Sequence, residues 1–110
     1  MFESRYYIFE NNQVEKVSFE KWAIWYQTAN RKIEKTIVLS EIEVSTIFLS
    51  IDHNFYKSGK PILFETMIFG GALDGYQWRY TDLEAAKKGH LEAIKEVKKH
   101  YYGVQNRVIY

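Results

Sequence analysis

Five ionisable side chains between residues 52 and 90 are the groups in this sequence best suited to chemistry. They are Asp52, His53, Glu65, Arg79 and His90. Imidazole and carboxylate groups transfer protons in general acid–base catalysis, and both also bind hard or borderline metal ions. Their spacing matches no diagnostic motif such as HExxH, so the sequence predicts neither a metal site nor a cofactor.

Each of these groups also has a structural interpretation. His90 lies near the centre of the apolar stripe of a predicted helix, where a buried neutral histidine bonded to a backbone carbonyl or a carboxylate is expected. Glu65 shares a strand face with apolar neighbours, so it must either have a partner or lie at a sheet edge. If that face meets the helix, the expected partner is His90 or Arg79. Asp52 and His53 follow a predicted central strand and open a long loop, where turn chemistry competes with a functional role.

Two strands and a helix must position these groups. The segment 42–51 is apolar on both faces from Ile47 onward, which is typical of a central strand. The segment 62–69 follows Pro61, and we expect the two segments to pair as an antiparallel hairpin with a long loop. Shorter strands are predicted at 6–9, 14–17, 36–39 and 77–80.

Two helices complete the predicted fold. Ser18 is a favourable N-cap for a helix over about 19–29. Residues 81–84 fit a capping box between Thr81 and Glu84, so a second helix should span about 82–101 and end at Gly103. Its apolar stripe consists of Leu83, Ala86, His90, Ile94, Val97 and Tyr101. The sequence therefore predicts one α+β domain over residues 1–110, a small antiparallel sheet packed against two helices, with no element assigned to the tail 104–110.

Composition narrows the class of protein further. The absence of cysteine excludes a disulfide framework, a thiolate metal site and a cysteine nucleophile. Fifteen Lys and Arg residues against fourteen Asp and Glu residues give a formal charge of +1, which argues against both an acidic DNA mimic and a basic nucleic-acid-binding protein. No segment approaches the roughly 18 apolar residues of a membrane span, and residues 1–5 lack the pattern of a signal peptide. We therefore expect a cytoplasmic protein.

Aromatic residues are more numerous than a small core needs. The chain has nine Tyr and three Trp residues, and exposed aromatic side chains are enriched at protein interfaces. The candidates for a partner-binding surface are Tyr6, Tyr7, Trp25, Tyr56, Tyr76 and Trp78. Ordinary core filling is the alternative interpretation.

Several segments between residues 44 and 94 follow a recognisable pattern. They are Val44-Ser45-Thr46, Asp52-His53-Asn54-Phe55, the run from Pro61 to Gly71, Arg79-Tyr80-Thr81, Glu84-Ala85-Ala86 and Gly89-His90. Together they resemble a widespread family of small uncharacterised proteins encoded by bacteriophages and prophages. Ser50 stands where the family pattern usually has glycine. The resemblance implies a phage context, and it supplies no mechanism because the family has no established activity.

Two hypotheses of function follow. The first is a phage-encoded accessory protein that binds a host or phage protein and blunts a bacterial defence system, based on the aromatic excess and the phage resemblance. The second is a small enzyme or ligand-binding protein that uses the five ionisable groups around a pocket beside the glycine-rich segment 70–75. Without a catalytic signature, a binding protein is the more expected of the two.

Overall fold

The computed structural model describes residues 4–56 and 58–108, with side chains described as far as residue 102. Within these ranges the elements are β1 (Tyr6–Glu10), β2 (Gln13–Val17), α1 (Phe19–Tyr26), β3 (Lys32–Val38), β4 (Ile42–Phe48), β5 (Phe64–Phe69), β6 (Gln77–Tyr80) and α2 (Leu83–Val108). Two antiparallel sheets and two helices confirm the predicted α+β class.

The larger sheet is an antiparallel meander in the order β3-β4-β5-β6. Its centre is the predicted hairpin of β4 and β5, in which Thr46 lies opposite Thr66. The hairpin of β1 and β2 joins this sheet beyond the end of β4, where the Tyr7 N–H donates to the Ser50 carbonyl at 2.9 Å and Tyr6 bridges to Ile51. Residues 49–53 thus connect the two sheets.

Helix α2 covers one face of the larger sheet because its small and apolar residues recur every three or four positions. Ala86, His90, Ala93 and Val97 are all buried against the strands. Val97 packs with Val44 and neighbouring residues of β3 and β5, and Ala86 packs with a second group centred on Phe48 and Phe64. Of the predicted stripe, Tyr101 is the exception, since it is 44% exposed.

Both ends of α2 differ from the prediction. The N-cap interaction comes from Asp82, whose Oδ1 accepts from the Ala85 N–H at 2.8 Å, rather than from Thr81. The Asp82 carboxylate also complements the positive end of the helix dipole, which a Thr hydroxyl does not. The helix passes through Gly103 to Val108, because a glycine inside a helix costs about 1 kcal/mol and does not by itself end it. The last two residues of the tail lie outside the described part of the chain.

Helix α1 begins as predicted, with the Ser18 Oγ accepting from the Lys21 N–H at 3.2 Å. It ends at Tyr26, about three residues earlier than predicted, and it packs mainly on the β1–β2 hairpin. The ring of Trp22 lies 4.9 Å from that of Tyr6. From α1, Trp25 reaches the larger sheet, where its ring centre lies 6.0 Å from that of Phe48. Neither helix, as far as the structure describes them, has the length and apolar content to cross a membrane.

Candidate protein-binding surface

His90 is fully buried between α2 and the sheet, as the sequence predicted, but its partners are hydroxyl groups. Its Nε2 lies 2.9 Å from Thr36 Oγ1 and its Nδ1 lies 2.7 Å from Thr46 Oγ1. The predicted carbonyl or carboxylate partner is therefore wrong. Burial lowers the pKa of His90, and the nearby Glu34 carboxylate opposes that shift only in part. The imidazole is neutral at pH 7.

The hydroxyl groups around His90 form a chain that crosses the sheet. Thr46 Oγ1 lies 2.6 Å from Thr66 Oγ1, and Thr66 bonds to the hydroxyl of Tyr80. Two opposite orders of donors satisfy every group, one running from Tyr80 to Nδ1 of His90 and the other from the Nδ1–H of His90 to Tyr80. In the second order Thr66 donates to the Tyr80 oxygen, the direction that lowers the pKa of a tyrosine. Burial raises the pKa of Tyr80, and the bond from Thr66 opposes this. This chain makes His90 part of the scaffold.

Glu65 lies on the opposite face of the sheet and pairs with Arg79. The Arg79 Nε donates to Glu65 Oε2 at 2.9 Å, and the two residues are direct cross-strand neighbours. Adjacent strand residues point to opposite faces, so Glu65 cannot face α2 while Thr66 does. Of the two predicted partners, Arg79 is therefore correct and His90 is wrong. The side chain of Glu65 is 11% exposed and that of Arg79 is 38% exposed.

Asp52 and His53 hold the loop that follows the sheet. The Asp52 Oδ1 accepts from the N–H groups of Asn54 at 2.7 Å and Ile62 at 2.9 Å. The Nδ1 of His53 lies 2.7 Å from the Ile51 carbonyl, which makes Nδ1 the protonated nitrogen. The five ionisable candidates are thus in three places: under α2, on the open sheet face and at the loop. Residues 4–56 and 58–108 contain no group of three or more His, Asp or Glu side chains arranged to hold a metal ion.

The six aromatic candidates divide between the interior and the surface. Tyr6 packs on α1, while Tyr7 and Trp25 pack around Phe48. Trp78 is partly buried against α2. Tyr76 is 54% exposed and Tyr56 is 85% exposed. Tyr56 is therefore the candidate most open to a partner.

Phe55, which the sequence analysis did not select, completes this exposed site. It is 73% exposed and adjoins Tyr56 at the tip of the loop. The available signal was an aromatic pair inside a segment rich in turn-forming residues, since such a segment offers no core to bury either ring. Residues 52–56 and 58–60, with Phe55 and Tyr56 at their tip, are called the aromatic loop below.

Side-chain hydrogen bonds fix the backbone of the aromatic loop. The Asn54 Nδ2 donates to the carbonyls of Ser58 at 3.2 Å and Lys60 at 2.9 Å, and its Oδ1 accepts from the Tyr56 N–H at 3.1 Å. Gly59 has a φ of +96°, and a Cβ there would lie 3.3 Å from the Asn54 amide nitrogen. Glycine is thus suited to this position both by conformation and by the close approach.

A cation borders the exposed rings. The Arg5 guanidinium lies 4.5 Å from the centre of the Phe55 ring and donates to the Asp52 carbonyl. Lys60 is also exposed, and the one carboxylate of the loop, on Asp52, is engaged by two backbone N–H groups. Rigid aromatic rings beside an arginine are the side chains enriched at the energetic centres of protein interfaces. The exposed part of the loop thus has the side-chain composition typical of a protein-binding surface.

Comparison with known proteins finds no match to this chain among family models, curated proteins or solved structures.

Proposed function

We propose that this chain is a phage-encoded accessory protein that binds a host or phage protein through the aromatic loop. The observation that carries the proposal is the exposure of Phe55 and Tyr56, at 73% and 85%, on a backbone fixed by side-chain hydrogen bonds. The phage context is supported by the sequence resemblance over residues 44–94.

The rigidity of the loop favours binding over a merely structural role. A flexible loop loses conformational entropy when it becomes ordered at an interface. A pre-organised loop loses that entropy during folding, so its binding is less costly. Aromatic rings add large contact areas with only two side-chain torsions to restrict. The two rings lie largely in water and outside the core, so the hydrogen-bonded backbone holds them where another surface can contact them.

The proposal is tested by quantitative affinity capture from bacterial lysate, with and without phage infection. The wild-type chain should recover one protein in near-stoichiometric amount, and Phe55→Ser/Tyr56→Ser should lose it. Ile24→Ser is the matched control, because Ile24 is 72% exposed on α1, far along the chain from the loop. Equal capture by the loop variant, or no stoichiometric protein at all, would contradict the proposal.

The biological role we propose for this binding is inhibition of a bacterial defence system. Phage genomes carry small proteins of this kind, and the resemblance is what supports the role. Expression of the chain in a bacterium with an active defence system should raise the plating efficiency of a sensitive phage, and Phe55→Ser/Tyr56→Ser should not. If plating is unchanged across a panel of defence systems while capture succeeds, the role is wrong and the binding proposal stands.

A further inference from the structure

The strand β6 forms an open edge of the larger sheet. It pairs with β5 on one side, and it is the last strand in the order. The bond from the Ile68 N–H to the Tyr76 carbonyl, at 3.0 Å, sets the phase of this ladder. The carbonyl of Tyr76 and the backbone groups of Trp78 and Tyr80 are therefore directed to β5, while those of Gln77 and Arg79 are directed outward. No loop or turn in the described ranges bonds to these outward groups.

A groove of about 350 Å³ runs between this edge and helix α2. It is lined by Trp78, Tyr80, Gly89, Glu92, Ala93 and Glu96. The small residues Gly89 and Ala93 of α2 leave room between the strand and the helix. The ring of Tyr80 lies directly against Gly89, where an added Cβ would come within 2.1 Å of the tyrosine hydroxyl. One wall is aromatic and the other carries two carboxylates. We call this the β6–α2 groove.

The charges of the groove favour a cation. Glu92 has one exposed partner, Lys95 at 3.5 Å, and Glu96 has no ion pair among the described residues. Carboxylates beside the faces of Trp and Tyr are the groups that bind ammonium and guanidinium ions. Arg79 does not compete for this space, because it points to the opposite sheet face and pairs with Glu65.

We propose that the β6–α2 groove binds an extended peptide segment that carries a lysine or arginine. The segment would add to β6 as a further strand and bond to the outward N–H and C=O groups of Gln77 and Arg79, a common mode of peptide recognition. Residues directly opposite in such a ladder share a face. The peptide residue opposite Trp78 therefore directs its side chain into the groove, toward Glu92 and Glu96. This site is separate from the aromatic loop and does not depend on the function proposed for it.

The probe is a fluorescent heptapeptide of alternating valine and threonine with a central lysine, measured by fluorescence anisotropy. Otherwise identical peptides carry norleucine or glutamate at the centre. The lysine peptide should bind at least tenfold more tightly than the norleucine peptide, and the glutamate peptide should bind most weakly. Equal affinity of all three peptides would overturn the proposal, because the groove would then not distinguish a positively charged central side chain from a neutral or negative one.

Variants locate the binding. Glu92→Gln/Glu96→Gln should reduce the preference for lysine to less than threefold, and Glu10→Gln/Glu41→Gln, which removes the same charge from exposed distant positions, should leave it unchanged. Gln77→Pro removes one outward N–H at the first strand residue, a position that accepts proline, and should weaken all three peptides alike. Phe55→Ser/Tyr56→Ser should bind the peptides as the wild type does.

The alternative occupant of this edge is a second copy of the chain, paired through β6. Sedimentation velocity of the wild type and Gln77→Pro separates the two cases. A wild type that stays monomeric and binds the lysine peptide supports the proposal. A wild-type dimer that Gln77→Pro converts to a monomer, with no binding of the lysine peptide, would overturn it.

Discussion

His90 shows how a residue type with catalytic potential becomes part of the scaffold. Both ring nitrogens are bonded to threonine hydroxyls, and the imidazole has no access to solvent. Its position could be predicted because it falls on the apolar stripe of α2. Its partners could not, because they depend on the register that places Thr36 and Thr46 beneath the helix.

The lowered pKa of His90 makes the fold sensitive to acid. The folded state disfavours the imidazolium and the unfolded state does not, so His90's contribution is complete above the unfolded pKa of about 6.5 and is lost as the pH falls through the lower folded value. The free energy of unfolding in urea should therefore fall more between pH 7.5 and pH 5 for the wild type than for His90→Gln. Glu34, the one charge shown to act on His90, reduces the effect. Parallel curves for the two proteins would contradict this.

Ser50 is the second residue whose conformation the sequence could not show. Its backbone has a φ of +67°, and its buried Oγ has no hydrogen-bond partner among the described residues. Glycine at this position would avoid both costs. We expect Ser50→Gly to raise the free energy of unfolding by about 1 kcal/mol, since the left-handed conformation and the unpaired hydroxyl each cost about 1–2 kcal/mol and glycine returns part of this as entropy.

The control for that measurement is Ser45→Gly. Ser45 lies within β4, where the backbone is ordinary strand, so the same change should lower the free energy of unfolding by about 0.5–1 kcal/mol. Thermal and urea unfolding of the two variants should shift in opposite directions. Destabilisation by both would mean that the Ser50 backbone is not strained.

At the scale of elements, local signals predicted where strands and helices occur but not how they end or pair. The β-branched runs and the caps at Ser18 and near Asp82 indicated the right elements. The register shift between Lys32 and Glu34, which turns Ile33 toward the core, has no signal in the sequence. The β6–α2 groove could not be predicted from the sequence either, because it forms only when β6 pairs with β5 and α2 packs across both strands.

The cap of α2 gives a direct comparison between neighbouring residues. Asp82→Ala removes the acceptor for the Ala85 N–H and should lower the free energy of unfolding by about 1 kcal/mol. Thr81→Ala should cost less than half as much, because the described bond comes from Asp82. Chemical denaturation at pH 7 measures both changes in the free energy of unfolding. An equal decrease for the two variants would favour the capping box that the sequence predicted.

Two glycines of α2 test the packing of that helix on the strand. Gly89→Ala should destabilise the protein by about 1–3 kcal/mol, because the new Cβ would displace the Tyr80 ring and break its bond to Thr66. Gly103→Ala, in the same helix, should stabilise it by up to about 1 kcal/mol through helix propensity. If Gly89→Ala were also stabilising, the contact between Tyr80 and α2 would be absent in solution.

In the whole molecule, the face of the larger sheet that α2 covers forms the main interior, and the aromatic loop and the β6–α2 groove lie at the margins of that sheet. The α+β class could be predicted from the sequence because it follows from the period and order of apolar residues. Of the aromatic candidates, Tyr56 was placed on the surface and Tyr7 in the interior only by the structure, since composition does not say which rings a small core accommodates. Phe55 was recognised as a candidate from its exposure, and the β6–α2 groove from the position of β6 at the edge of the sheet.

Site-specific photo-crosslinking in bacterial cells during phage infection tests whether the aromatic loop is the surface that binds a partner. The photoreactive residue p-benzoylphenylalanine replaces Tyr56 in one protein and Ile24, also highly exposed, in the other. Binding through the aromatic loop should give one discrete crosslinked product from position 56 and none from position 24. A product of equal yield from both positions, or from position 24 alone, would contradict binding through the aromatic loop.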